Sequence, residues 1–305
     1  MASDERATVA HQSFGIVVVS YRSAQEVEAL ARSLPAALAA RVDELCVVDN
    51  TEEAEDLAEV GAVLAHKGVR LTVLRPGANI GFGAANNLGL AHLAATGCEL
   101  VWFLNPDTRV ADADPDRLDR ELRAQPAPVL LATGLRTPSG RRAGTSVLSL
   151  RTGRVVHGAP SGGRVTFVNG NSMLARVPGL LALGGFDERF FLYFEEADLA
   201  LRSAAAGMPL GVVEGLSVTH EGGGSTGSRR GERRSRVTVH HANRSCVLFF
   251  AKHRPARLPL VLAARAANCA RLLVGDPRVA GAATAGLLAG VAALVHRAPG
   301  ERMGR

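Results

Sequence analysis

The sequence predicts an α/β protein: a mostly parallel, Rossmann-like sheet flanked by helices, with a basic helical extension at its C-terminal end. Three observations carry that expectation. Aliphatic and β-branched runs, FGIVVVSY at 14–21, LCVVDN at 45–50 and LVWFL at 100–104, have the character of strands covered on both faces. Stretches of helical spacing lie between them, and such alternation feeds parallel strands through right-handed crossovers. The charge is divided along the chain. Residues 1–228 hold 20 Lys and Arg against 26 Asp and Glu, a net of −6, whereas residues 229–305 hold 15 against 3, a net of +12.

The length of 305 residues, with 47% hydrophobic and 21% charged side chains, suits one large folded domain at 1–228 and an appended region at 229–305. The first dozen residues are polar and carry Asp4, Glu5 and Arg6, which is unlike a signal peptide and points to the cytosol. Cys46, Cys98, Cys246 and Cys269 are scattered without paired spacing, which argues for reduced, buried thiols rather than a disulfide or zinc site. A basic tail can meet nucleic acid or an anionic membrane. With aromatic residues at 4% there are few stacking platforms, so the expectation is a membrane surface and no nucleic acid.

In chain order, the strand at 14–21 is followed by helical spacing over 25–40, where Val27, Leu30, Leu34 and Leu38 share a side. The second strand, 45–50, leads into a Glu-rich helical stretch at 52–64 and a third strand at 70–74. This β-α-β-α-β order sets Ser20, Asp49 and Arg75 along the carboxyl edge of the sheet, where open α/β sheets bind ligands. The strand at 100–104 runs into Asn105-Pro106-Asp107, and Pro106, lacking an N–H, ends its ladder. Asp107 therefore joins the same rim, where a carboxylate suits a hard cation that in turn holds a diphosphate. Alone, Asn-Pro-Asp is also an ordinary turn. The glycine-rich segment 76–90 permits close backbone approach to a phosphate or sugar. It reads Gly-x-Gly-x-x-Asn after the third strand, without the third glycine of a dinucleotide fingerprint.

Residues 112–123 read as a charged surface helix and 136–163 as turns or an edge hairpin, with no function attached. The segment 165–175 reads as a strand and turn. The string GGFDERFFLYFEEADLALR at 184–202 then places Glu195, Glu196 and Asp198 in the first turn of a helix, where negative charge is in any case stabilising. A final strand over 210–220 ends in His220, followed by a glycine-rich 221–225 that suits a lid. Arg229, Arg230, Arg233, Arg234 and Arg236 precede two Ala- and Leu-rich helical stretches, 258–273 and 279–295. The second has 17 uncharged residues, many of them Ala or Gly, and is expected to lie on a membrane or pack on the body rather than span.

Taken together, VVVSY, VVDN, N-x-GFG-x-x-NN-x-G, FLNPD and GGFDERFFLYFEEADLALR resemble the family 2 glycosyltransferases of GT-A fold, particularly their bacterial rhamnosyltransferase-like branch, over about residues 14–226. The resemblance implies that Ser20, Asp49 and Arg75 serve the nucleoside and that Asn79, Gly81, Gly83 and Asn87 line the donor pocket. Asn105 stands at the first position of the family's Asp-x-Asp motif and Asp107 at its metal-binding position, for Mg²⁺ or Mn²⁺. His220 is either a second metal ligand or a residue satisfied within the core. Glu196 stands where the family has its general base, commonly Asp, with Glu195 beside it and Asp198 as a second candidate. Asn169, Gly170, Asn171 and Arg202 fall on the acceptor side, Arg202 as a partner orienting the carboxylates or as a surface charge. The implied activity is inverting transfer of rhamnose from dTDP-rhamnose to a glycan or polyprenyl-diphosphate-linked sugar in cell-envelope polysaccharide synthesis. The implied place is the cytosolic face of the membrane, held peripherally, with a homo-oligomer possible. UDP-galactofuranose and GDP-mannose are alternative donors, and an inactive nucleotide-binding membrane adaptor is the alternative of a different class.

Overall fold

Three apolar strands side by side, with a fourth at their edge, explain why the first third of the chain reads as buried. The computed structural model describes residues 12–126, 129–137, 140–156, 163–220 and 235–295. In it β1 (Phe14–Ser20) pairs in parallel with both β2 (Glu44–Asp49) and β4 (Leu100–Leu104), and β2 pairs with β3 (Arg70–Leu74). Every residue of β2 and β4 is buried, as continuous apolar runs require. Beyond β4 the sheet becomes mixed. Here β11 (Ser172–Arg176) lies antiparallel between β4 and β6 (Leu130–Thr137), β12 (Gly211–His220) runs parallel to β6, and β5 (Thr108–Ala113) closes that side. A short β7 (Gly140–Ala143) adds to β6, and β8 (Thr145–Ser149), β9 (Val155–Val156) and β10 (Arg164–Val168) form a small separate sheet.

Helices cover both faces. One core joins α1 (Ala24–Ser33), α2 (Ala36–Ala39), α3 (Ala58–His66) and α5 (Pro115–Ala124) to the sheet through Val27, Leu30, Leu64 and Leu118. The other joins α4 (Phe82–Ala95), α6 (Val177–Ala182) and α7 (Glu195–Ala205) through Leu90, Leu93, Leu180 and Leu199. A third cluster packs α7 and the small sheet against α8 (Arg236–His253), with Cys246, Phe249 and Phe250 fully buried. The chain ends in α9 (Leu258–Gly275) and α10 (Pro277–Val295).

Four boundaries differ from the sequence reading. The helix expected over 25–40 breaks because Leu34, which precedes Pro35, is extended at ψ 116°. Helix is absent from 52–57, since this segment turns its polar groups onto Asp49 instead. The charged helix starts at Pro115, capped by the Asp114 carboxylate, which accepts from the Arg117 N–H at 2.9 Å. A helix, α8, occupies a stretch whose sequence reads only as Arg- and His-rich. The glycine-rich 221–225 and Arg229, Arg230, Arg233 and Arg234 lie outside the described residues.

Candidate active site

The carboxyl ends of β1, β2 and β4 deliver their following residues to one cleft of about 580 Å³. Asn50, Asn79, Asn105, Asp107, Asn171 and His220 are among its polar lining groups. One wall is built by Asn50, whose Nδ2 donates to Asn79 Oδ1 at 3.0 Å and whose Oδ1 accepts from the Ile80 N–H at 2.9 Å. Next to it Gly81, at φ 89°, begins α4. A Cβ there would stand 2.7 Å from the Phe191 carbonyl oxygen, so only glycine lets the 79–82 loop meet the 191–196 segment. The Phe82 N–H donates to that same carbonyl at 2.8 Å.

On the cleft floor His220 Nε2 lies 3.1 Å from Asp107 Oδ1. Asp107 comes from the end of β4 and His220 from the end of β12. The His220 ring nitrogen is buried and makes no hydrogen bond among the described residues. A nitrogen and a carboxylate oxygen converging in this way form a donor pair for a divalent cation, with the Asn105 amide on the same cleft. Among the described residues no group of three or more His, Cys, Asp or Glu is arranged to hold a metal ion.

The opposite wall carries Glu195 and Glu196. Two consecutive non-glycine residues in the left-handed region, Tyr193 at φ 69° and Phe194 at φ 73°, turn the chain into α7 just before them. Backbone held in such a conformation costs of order 1–3 kcal/mol per residue and persists where the surroundings enforce it. Here Phe194 packs on Phe249, with ring centroids 5.3 Å apart, and the Ser245 hydroxyl donates to the Leu192 carbonyl at 2.9 Å. Glu196 Oε1 accepts from the Gly170 N–H at 3.1 Å. Burial raises the Glu196 carboxyl above its ordinary range, and this N–H only partly offsets the rise. Glu195 is buried, its Oε2 has no hydrogen-bond partner among the described residues, and burial followed by the Glu196 charge raises its pKa well above the ordinary value.

Asp198 is placed differently. Its side chain is fully buried and meets Arg202 Nε at 2.8 Å, Lys252 Nζ at 2.5 Å and His253 Nε2 at 2.6 Å. Burial alone would raise its pKa, but the hydrogen bond from His253 and the charges of Arg202 and Lys252 hold it below the ordinary value. Arg202 also donates to the carbonyls of Leu183 at 2.5 Å and Gly185 at 2.6 Å, so it ties the 183–185 turn to α7.

The chain is 27% identical over 265 residues to the N-acetylglucosaminyl-diphospho-decaprenol L-rhamnosyltransferase of Mycobacterium tuberculosis, a match covering 77% of this chain and 83% of that protein. No protein-family model matches it. Among solved structures it superposes on the mannosyltransferase PcManGT from Pyrobaculum calidifontis, in complex with GDP-Man and Mn²⁺, at TM-score 0.53 and 15% identity, covering 94% of this chain and 88% of that one. It also matches TarS 1–349 from S. aureus at TM-score 0.50 and 14% identity, over 83% of this chain and 72% of that one. The chain has the GT-A glycosyltransferase fold. The sequence resemblance to a rhamnosyltransferase-like branch agrees with the relative's name.

Within this GT-A fold, the residues singled out from sequence fall into two groups. Asn79, Gly81, Asn105, Asp107, Gly170, Asn171, Glu195, Glu196 and His220 share the cleft. The others are engaged behind it. Ser20 donates to Glu55 at 3.1 Å, and Asp49 accepts from Thr51, from the Glu55 N–H at 2.9 Å and from Arg75 Nε at 3.2 Å. Asn87, read from sequence as a donor-pocket residue, binds the backbone of Phe186 through both ends of its amide, at 2.8 and 2.9 Å, and staples α4 to the 186–188 loop. Gly83 faces Phe186, and Asn169 engages the turn through its backbone. Asp198 and Arg202 are absent from the cleft lining. Sequence reasoning missed Asn50, Tyr21 and His241, which do line it. His241 reaches it from α8, stacked on Phe191 with centroids 4.4 Å apart. Burial, His240 and Arg244 lower its pKa to about 4. Only the pairing of His240 with His241 in a basic stretch hinted at it.

Proposed function

We propose that this chain is an inverting glycosyltransferase. Its donor is a nucleoside diphosphate sugar, with dTDP-rhamnose favoured over UDP-galactofuranose and GDP-mannose. Its acceptor is a sugar on a polyprenyl diphosphate, met at the cytosolic face of a membrane. The observation that carries this reading is the opposition, across one cleft, of the Asp107 and His220 pair to the raised-pKa carboxylate of Glu196. The relative's name supports the choice of sugar and acceptor.

In the mechanism, the acceptor hydroxyl oxygen attacks the anomeric carbon as the bond from that carbon to the diphosphate oxygen breaks. Glu196 takes the hydroxyl proton, and the nucleoside diphosphate leaves with the bonding electrons. A base works best when its pKa lies near the working pH, and burial moves Glu196 in that direction. The Gly170 N–H fixes which oxygen faces the acceptor. Glu195, favoured neutral by burial, avoids a second buried charge beside the base. Asp198, held by Arg202, Lys252 and His253, anchors the first turn of α7 on which both glutamates ride. Asp107, His220 and the Asn105 amide are the residues that would hold Mg²⁺ or Mn²⁺, whose chemistry there is neutralisation of charge on the departing diphosphate.

The test is a thermal-shift series with dTDP, UDP and GDP, each with and without Mn²⁺, since a ligand that binds only the folded state raises its stability by mass action. The expected result is metal-dependent stabilisation strongest with dTDP. Stabilisation by none of the three nucleotides would remove the donor reading.

A further inference from the structure

A second cleft, of about 680 Å³, shares Tyr193 and Glu196 with the first, so the two meet at the carboxylate assigned as base. Its walls come from the small sheet, the turn at 152–154, α7, α8 and α9. Three arginines, Arg154, Arg265 and Arg271, and the Asn268 amide line it, with Glu196 the one acidic residue of the lining. Arg265 donates to the Gly153 carbonyl at 3.0 Å and Arg271 to Asn268 Oδ1 at 2.8 Å. Neither contact neutralises a charge, and among the described residues none of the three arginines has a carboxylate partner.

Concentrated positive charge without a counter-charge is a site for an anion, and the planar guanidinium fork matches phosphate oxygens in particular. Much of the remaining lining is apolar, including Leu148, Val155, Phe167 and Phe194, beside Thr152 and Tyr193. The cleft is bounded by α9, which carries Leu260, Leu273 and Val274 exposed to 56%, 58% and 93%. An occupant thus meets a carboxylate, cationic groups and apolar walls within one cleft, with α9 along its side.

We propose that the second cleft binds the diphosphate of an isoprenoid-linked acceptor. Arg154, Arg265 and Arg271 take the phosphate oxygens, the sugar hydroxyl reaches Glu196, and the hydrocarbon chain leaves along α9. The inference rests on the transferase reading above and adds to it the place and the residues of acceptor recognition. No bond to phosphorus changes here. The diphosphate is held as a handle, and only the sugar hydroxyl loses a proton.

The experiment compares the full chain with its Arg154→Glu/Arg271→Glu variant on two soluble acceptors of identical terminal sugar. One sugar is borne by a short isoprenyl diphosphate, the other by an uncharged alkyl chain. Both replaced residues are exposed, and stabilisation by nucleoside diphosphate checks that the variant is folded. Wild type should prefer the diphosphate acceptor in kcat/KM, and the variant should lose that preference by about ten-fold or more, since each hydrogen bond to a charged group is strong. The donor KM should hold. Arg271→Lys, which keeps charge but not the fork, should give an intermediate loss. An unchanged preference, or an equal loss with both acceptors, overturns the inference while leaving the transferase reading standing. Loss of binding to phosphatidylglycerol vesicles with unchanged preference would assign the arginines to lipid headgroups and overturn it as well. If wild type turns over neither acceptor, the transferase reading fails first and takes this assignment with it.

Discussion

Three carboxylates within four residues have three different environments, and the differences decide what each can do. Glu196 faces the cleft with a raised pKa, Glu195 is buried beside it, and Asp198 is locked among Arg202, Lys252 and His253. Glu196→Gln should lower kcat by roughly 10²–10⁴-fold, the usual contribution of a general base, while stabilisation by donor nucleotide persists. Full turnover by that variant would move the base elsewhere. Asp198→Asn should instead act on the fold, because it strands buried cations, and a loss of roughly 3–5 kcal/mol in denaturant unfolding is expected. Glu195 gives a pH signature. Its folded-state pKa is raised, so its contribution to stability is intact below the ordinary carboxylate range and lost as pH rises through the raised value. Glu195→Gln stays neutral at every pH, and its Tm should fall less than that of wild type between about pH 5 and about pH 8. The sequence put Glu196 first and Asp198 second as candidate bases. It could not separate Asp198 from it, because Lys252 and His253, the partners that engage Asp198, arrive from a helix more than fifty residues away.

Elements bring these side chains to register, and at Gly170 the lack of a side chain lets a carboxylate approach. A Cβ at Gly170 would stand 2.6 Å from Glu196 Oε1. Gly170→Ala must therefore push the carboxylate aside, and a displacement of about an ångström can cost about 10²-fold in rate. The loss should fall on kcat with the donor KM nearly unchanged, and steady-state kinetics would show the split. An equal rise in donor KM would mean that the turn at 169–171 shapes the donor cleft as a whole. At this scale the parallel strands β1, β2 and β4 were legible, because burial on both faces writes an uninterrupted apolar run. The α8 helix was not. Its buried Val239, Cys246, Phe249 and Phe250 are interspersed with Arg244, Lys252 and His253, which meet the body at Arg189, Asp187 and Asp198, and those polar side chains mask the apolar stripe.

At the scale of the molecule, the split between a net −6 body and a net +12 tail has a structural counterpart. Two helical segments, Pro255–Gly275 and Pro277–Val295, are long and apolar enough to cross a membrane. They are not equivalent. Buried Ala280, Ala283, Gly286 and Gly290 lie on α10, and a Cβ at Gly286 or Gly290 would meet the α8 backbone, so this small-residue face is spent on packing against the body. Of the α9 segment only 11% of the apolar window is buried, and its Leu273 and Val274 are exposed. An apolar face flanked by arginine is suited to an anionic membrane surface, where burial of the side chains and attraction to lipid headgroups add together. Leu273→Glu/Val274→Glu should therefore reduce co-sedimentation with anionic vesicles by roughly ten-fold or more while leaving nucleotide-induced stabilisation intact. Wild-type binding should weaken as salt shortens the Debye length to about 8 Å at 0.15 M and about 3 Å at 1 M. Vesicle binding that ignores both the substitutions and the salt would mean that α9 covers a protein partner instead.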